Sequence, residues 1–173
     1  MGVRADRAAL DADFAAYVTA RWPRLVRAAV LMGCRGAEAE DVVQSALERC
    51  LPRWSRICEA DDRDAYVHRV LVTTLAGSRR RRWWGERPTE HLPETAVDDG
   101  ADRLDDADAV SRALAGLGAD QRQVVVLRYY AHLSEQQTAQ ALGVPPGTVK
   151  SRLSRALRVL AQDPGLIELR ETL

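Results

Sequence analysis

Apolar residues recur at intervals of three and four along most of the chain, and few stretches alternate at period two. That spacing predicts helices throughout. From Asp11 or Asp13 onward, Phe14, Val18, Leu25, Val26, Ala29 and Val30 supply one apolar side. Pro23 falls inside this run; it lacks an N–H and crowds the preceding turn, so a kink or break is expected there. Gly33 and Gly36 bracket the stop. A second helix is predicted from Ala37 to Leu51, with Ala39, Val42, Val43, Ala46, Leu47 and Cys50 as its buried stripe. Its outer side holds Glu38, Asp41, Gln44, Ser45 and Glu48, and Pro52 ends it. A third helix begins near Arg63 with Tyr66, Val67, Val70, Leu71, Thr74 and Leu75 inward, and runs into "GSRRRRWWG".

The pattern then fails. Residues 85–106 hold two prolines, two glycines, many acids and little apolar content. That composition predicts a flexible acidic linker. Helical spacing returns near Ala107 with "AVSRALAGLG", followed by "ADQRQVVVLRYYAHL", in which Val124, Val125, Leu127 and Tyr130 point inward. In "SEQQTAQALG", Ser134 followed three residues later by Gln137 is a capping box. Ala139 and Leu142 point inward, and Gly143 suits a left-handed helix end. A short helix, a glycine turn and a further helix make a helix-turn-helix. In the last helix Val149, Leu153, Ala156, Leu157 and Leu160 share the expected buried face. The expected fold is therefore all-α: two small helical domains joined by an acidic flexible linker, the second containing the helix-turn-helix.

Charge changes this picture more than composition does. The 173 residues sum to a formal net charge of zero, but residues 1–85 carry 15 Arg against 11 acids, and residues 112–173 carry eight Lys or Arg against five. Between them, residues 86–111 carry two Arg against nine acids. Two basic blocks around an acidic middle suit a polyanionic partner despite the neutral total. On the last helix, Thr148, Ser151, Arg152 and Arg155 lie away from the apolar face, flanked by Lys150, Ser154 and Arg158. Short hydroxyls and long cations on such a helix suit a DNA major groove, where arginine pairs with guanine. In the first block, Arg79, Arg80, Arg81 and Arg82 stand beside Trp83 and Trp84. Cations that track a backbone beside aromatic platforms are what single-stranded nucleic acid requires. A solvated helix end is the plain alternative for this cluster, as a solvated amphipathic surface is for the last helix.

Nothing points to catalysis or to a bound cofactor. Cys34, Cys50 and Cys58 are spaced 16 and 8 apart, which matches no metal knuckle; they are expected as buried or half-buried thiols in a reducing compartment. His68, His91 and His132 fall in separate segments, and no glycine-rich phosphate loop occurs. His68 is expected at the surface or facing DNA. The N-terminus is too charged for a signal peptide, and the longest apolar run, at 28–32, is too short to cross a membrane. A cytoplasmic protein without a membrane partner is expected.

Both halves resemble one family. "VVVLRYY" and "LSEQQTAQALGVPPGTVKSRLSRALRVL" in the second half, with "AEDVVQSALERCLPRW" and "DAYVHRVLVTTLAGSRRRRWW" in the first, are similar to bacterial RNA polymerase sigma factors of the extracytoplasmic-function type, in particular to the SigE-like subgroup common in actinobacteria. The likeness covers residues 11–84 and 107–162. It implies a region 2 domain over 11–84, a linker over 85–106 and a region 4 domain over 107–162. Asp41, Gln44, Glu48 and Arg49 would bind core RNA polymerase. His68, Arg69, Thr73, Arg79, Arg80, Arg81, Arg82, Trp83 and Trp84 would bind the −10 element of promoter DNA. Thr148, Lys150, Ser151, Arg152 and Arg155 would read the −35 element. An anti-sigma protein is a further partner that the family allows.

The sequence departs from the family pattern at Ser45, where aspartate is usual, at Thr73 for asparagine, at Gln137 for glutamate, at Thr138 for isoleucine and at Pro145 for a capping serine. Thr138 puts a hydroxyl on a core face, where it must bond a backbone carbonyl one turn back or cost stability. The competing function is a helix-turn-helix regulator that binds DNA without binding core polymerase.

Overall fold

The computed structural model describes residues 2–85 and 101–172, with side chains described for 7–80 and 108–169. Most of the expected linker (86–100) and the side chains of Arg81, Arg82, Trp83 and Trp84 lie outside the described residues. Among the described residues there are helices and turns and no strand.

Helix α1 spans Gly2–Leu31 and passes through Pro23 without the expected break. The stretches before and after Pro23 pack on one core. Tyr17, Leu25, Ala28 and Ala29 are buried, and Phe14, Val18, Trp22 and Val26 pack against the same core. A mid-helix proline costs about 3 kcal/mol; burying each large side chain contributes about 1.5–3 kcal/mol, so packing holds the helix together. After Gly33 (φ 101°), α2 (Gly36–Cys50) buries the stripe read from the sequence. A short 3-10 turn (Leu51–Arg53) and α3 (Trp54–Cys58) follow. Trp54 anchors this corner: its Nε1 donates to Asp13 at 2.8 Å, and its ring meets Phe14 edge-on at 5.0 Å. Arg63 Nη1 donates to the same carboxylate at 2.9 Å. Cys34 and Cys50 are buried as expected, but Cys58 is exposed beside Asp13 and Arg63. Helix α4 runs Arg63–Gly85.

The second half opens with α5 at Ala101, six residues inside the stretch read as linker, and α5 continues to Ala115. Helix α6 (Ala119–Val125) widens into a π-helical turn over Val126–Tyr130. Exposed His132 turns the chain with φ 58°. Helices α7 (Glu135–Leu142), α8 (Pro146–Leu160) and α9 (Pro164–Thr172) complete the fold.

The two halves dock. Leu114, Leu117, Val125, Val126, Leu127, Leu133, Ala141 and Ala156 belong to the same apolar cluster as the core of α1, α2 and α4. At the seam, Gln137 Nε2 on α7 donates to Asp62 at 2.7 Å, just before α4. Arg122 donates to the carbonyls of Ala115 and Leu117 and lies so close to Gly33 that a Cβ there would meet its guanidinium at 2.6 Å. Among the described residues, no helix is long and apolar enough to cross a membrane.

Candidate nucleic-acid interface

The helix-turn-helix is built from local signals that all agree. Ser134 Oγ accepts from the Gln137 N–H, and Gln137 Oε1 accepts from the Ser134 N–H at 2.7 Å, closing the capping box. Gly143 ends α7 in the left-handed conformation (φ 65°, ψ 35°), where a Cβ would strain the backbone. Pro145 precedes α8 without a side-chain cap, and Pro146 takes the first helical position, where its missing N–H costs nothing. Val124, Ala139 and Val149 form the small core joining α6, α7 and α8.

At about 100° per residue, Ala156, Leu160 and Leu153 fall within roughly 40° of Val149 around α8. Val149 and Ala156 are fully buried, and Leu153 and Leu160 are partly so. Leu157 falls about 80° away and is 39% exposed, so the sequence reading that turned it to the core is corrected. On the other side, Lys150, Ser151 and Arg155 are exposed and Thr148 is half-buried. Ser151 Oγ donates back to the Thr148 carbonyl at 3.0 Å. Arg152 lies about 60° from Val149 on that side. It emerges at the seam with α6, and its Nη2 meets Asp120 Oδ2 at 2.6 Å. Arg152, which the sequence places away from the apolar face, is ion-paired there. Asp120 was missed, since an acid in a helix's first turn reads from sequence only as a helix start.

In the first half, Asp41, Gln44 and Glu48 are exposed on α2 opposite its buried stripe, and Arg49 is exposed at the stripe's edge. Gln44 Nε2 donates to Glu48 at 3.0 Å, and Arg49 Nη1 donates to Thr74 on α4 at 3.0 Å. Along α4, Arg69, Thr73 and Arg80 are exposed, and the Thr73 hydroxyl bonds the Val70 carbonyl at 2.9 Å. One expectation is corrected here. His68 is buried rather than at the surface, because α4 turns it toward α1 and Tyr130 of the second half. Its Nδ1–H donates to the Asp64 carbonyl at 2.8 Å, and burial lowers its pKa below the usual histidine value. Arg79 is half-buried, and its Nη2 donates to the Met32 carbonyl at the end of α1, so one of its donors is used inside the protein. The other members of that cluster, Arg81, Arg82, Trp83 and Trp84, have side chains outside the described residues. Arg69 also lines a polar groove with Asp62, Tyr66 and the α7 residues Gln136, Gln137 and Gln140, so α7 of the second half lies beside one end of the first half's candidate DNA face.

Residues 107–160 match the family described as Sigma-70, region 4. The chain is 38% identical over 156 residues to the RNA polymerase sigma-E factor of Streptomyces coelicolor, covering 87% of this chain and 85% of that protein. It is 35% identical over 138 residues to the ECF RNA polymerase sigma factor SigL of Mycobacterium tuberculosis, covering 75% and 78%. Among solved structures, it resembles the sigma factor RpoE from Bartonella quintana, crystallised with the anti-sigma factor NepR. That match has 25% identity and a TM-score of 0.69, over 86% of this chain and 94% of that one.

Proposed function

The chain belongs to the extracytoplasmic-function sigma factors of RNA polymerase, and we propose that it acts as a promoter-specificity subunit with its labour divided between its two halves. It binds core RNA polymerase, directs it to −10 and −35 promoter elements and helps open the DNA. It is an initiation subunit and not itself a catalyst. Residues 11–84 form the region 2 domain, 85–106 the connection and 107–162 the region 4 domain. Working on the chromosome, the protein acts in the cytoplasm. An anti-sigma protein is a further partner, as NepR is for the RpoE structure.

One observation carries the second half's role. Within the residues that match region 4, α8 buries Val149 and Ala156 and exposes Lys150, Ser151 and Arg155 on a capped helix-turn-helix. Thr148 and Arg152 border that face. In the first half, the Asp41, Gln44 and Glu48 ridge supports a polymerase contact, since it is exposed and backed by the stripe that fixes α2. Arg49 borders it. Arg69, Thr73 and Arg80 are the exposed candidates for the −10 element.

Both elements cannot be engaged in the docked arrangement. The elements lie about 25 base pairs apart, roughly 85 Å at ~3.4 Å per step. A compact chain of this length has a radius of gyration of about 16 Å, hence a width near 40 Å. The halves must therefore part at the Gln137–Asp62 seam on the promoter.

The test is transcription in vitro with core polymerase on pooled promoter fragments, with start sites mapped. Asp41→Arg with Glu48→Arg should abolish pull-down of core polymerase while helicity and DNA binding by α8 persist. Wild-type pull-down by this variant defeats the α2 assignment. A wild-type protein that binds DNA but not core polymerase is instead a helix-turn-helix regulator.

A further inference from the structure

The ion pair between Arg152 and Asp120 joins a side chain on the recognition helix to a residue outside the helix-turn-helix. Helices α6 and α8 are held at fixed separation by Val124 and Val149, both without exposure. Asp120 sits in the first turn of α6, where a carboxylate is favoured by the helix's positive end. The pair is formed by Arg152 Nη2 and Asp120 Oδ2 at 2.6 Å; Arg152 is 25% exposed and Asp120 65%. An exposed ion pair adds little to stability, so its consequence lies in placement. An unpaired arginine on a helix surface samples many rotamers; this one is held at one end. Arginine has five N–H donors in a planar fork, and one carboxylate oxygen at Nη2 leaves Nε, Nη1 and the second Nη2 hydrogen available. A bidentate contact to guanine O6 and N7 needs two of those donors in one plane.

We propose that Asp120 is a positioning residue for Arg152: it pins one guanidinium nitrogen so that the remaining edge is presented to a guanine of the −35 duplex. The inference rests on the reading of α8 as the −35 reader. Asp120 touches no base itself. Its carboxylate also stands near the duplex as a negative charge that Arg152 offsets, which discourages binding when the arginine is not engaged with its base.

Holoenzyme made with the full chain is presented with a promoter library randomised over the −35 element, and relative affinities are read by sequencing bound DNA. The variants are Asp120→Ala, Asp120→Asn, Arg152→Ala and the Asp120→Ala/Arg152→Ala pair, each checked for wild-type melting. Asp120→Ala should lower discrimination for guanine at one position by roughly three- to thirtyfold, a part of what a bidentate arginine supplies. Other positions should be unchanged, and binding to scrambled DNA equal or stronger. Asp120→Asn, which keeps an acceptor oxygen, should retain part of the preference. In the Arg152→Ala background the Asp120 substitution should have no further effect on that position. Two results overturn the proposal. In one, Asp120→Ala strengthens binding to every sequence alike with guanine preference intact, which makes Asp120 only a repelling charge. In the other, Arg152→Ala leaves all preferences unchanged, so that no base contact exists to be positioned. If Arg155→Ala and Lys150→Ala also leave −35 binding at wild type, the reading of α8 itself fails, a result distinct from failure at Asp120 alone.

Discussion

Replacing Thr138 by valine should stabilise the whole chain. Thr138 lies on α7 with no exposure, and its Oγ1 has no hydrogen-bond partner among the described residues. The carbonyl one turn back, that of Ser134, is taken by the Thr138 backbone N–H at 2.9 Å. A buried hydroxyl left unpaired costs about 1–3 kcal/mol. Valine has nearly the same shape and carries a methyl where the hydroxyl was, so the substitution opens no cavity. A gain of about 1–2 kcal/mol is expected, and for a chain of this size each kcal/mol moves the melting temperature by about 2–4 °C. The shift should be roughly 2–8 °C upward, with an unchanged denaturant m-value as evidence that stability alone has moved. Thr138→Ser is the control: it keeps the hydroxyl and loses the methyl, and should melt lower by about 1 kcal/mol of stability. The assay is thermal and urea unfolding of the three proteins by circular dichroism. A valine variant that melts at or below wild type would show instead that the hydroxyl is bonded to a helix carbonyl.

Three further outcomes follow from the packing. Because the halves share one apolar cluster, Leu127→Ala should cost about 2–5 kcal/mol and shift tryptophan fluorescence, although Trp22, Trp54, Trp83 and Trp84 all lie in the first half; an unmoved tryptophan transition means the halves unfold separately. Arg79→Ala should lower stability by about 1.5–3 kcal/mol, the worth of a charged hydrogen bond, by freeing the Met32 carbonyl, whereas exposed Arg80→Ala should leave melting unchanged and weaken promoter opening in a salt-dependent way. The reverse pattern in paired melts and open-complex assays would sink that distinction. For His68, whose pKa is lowered chiefly by burial, the unfolded chain takes up the proton first as pH falls. Its contribution to stability is complete above about pH 6.5 and declines below that through the folded pKa, so His68→Gln should flatten a melting-temperature profile over that range; equal slopes for the two proteins would remove the assignment.

The longer helices, their inward stripes and the helix-turn-helix were legible from residues alone because each depends on neighbours three or four positions away; α3 and α9 were not read. The capping box at Ser134 and Gln137 and the left-handed Gly143 are closed within one helix, so no tertiary contact was needed to set them. The exposed α2 ridge followed from the same periodicity, since the side opposite a buried stripe must face out. Tertiary structure decided what local spacing cannot express. Pro23 was overruled because α1 is packed on both sides of it, by Phe14, Tyr17 and Val18 before it and by Leu25, Ala28 and Ala29 after it. Periodicity places Leu157 only at the edge of the α8 stripe, and the described residues leave it 39% exposed. His68 and Arg79 each carry chemistry that suits DNA, yet one is enclosed beside Tyr130 and the other closes the end of α1. Arg152 and Asp120 are separated along the chain by α7 and its turns, and meet only because Val124 and Val149 bring their helices together. A side chain's type states what it can bond. The elements packed against it determine whether that capacity is spent inside the protein or left for a partner.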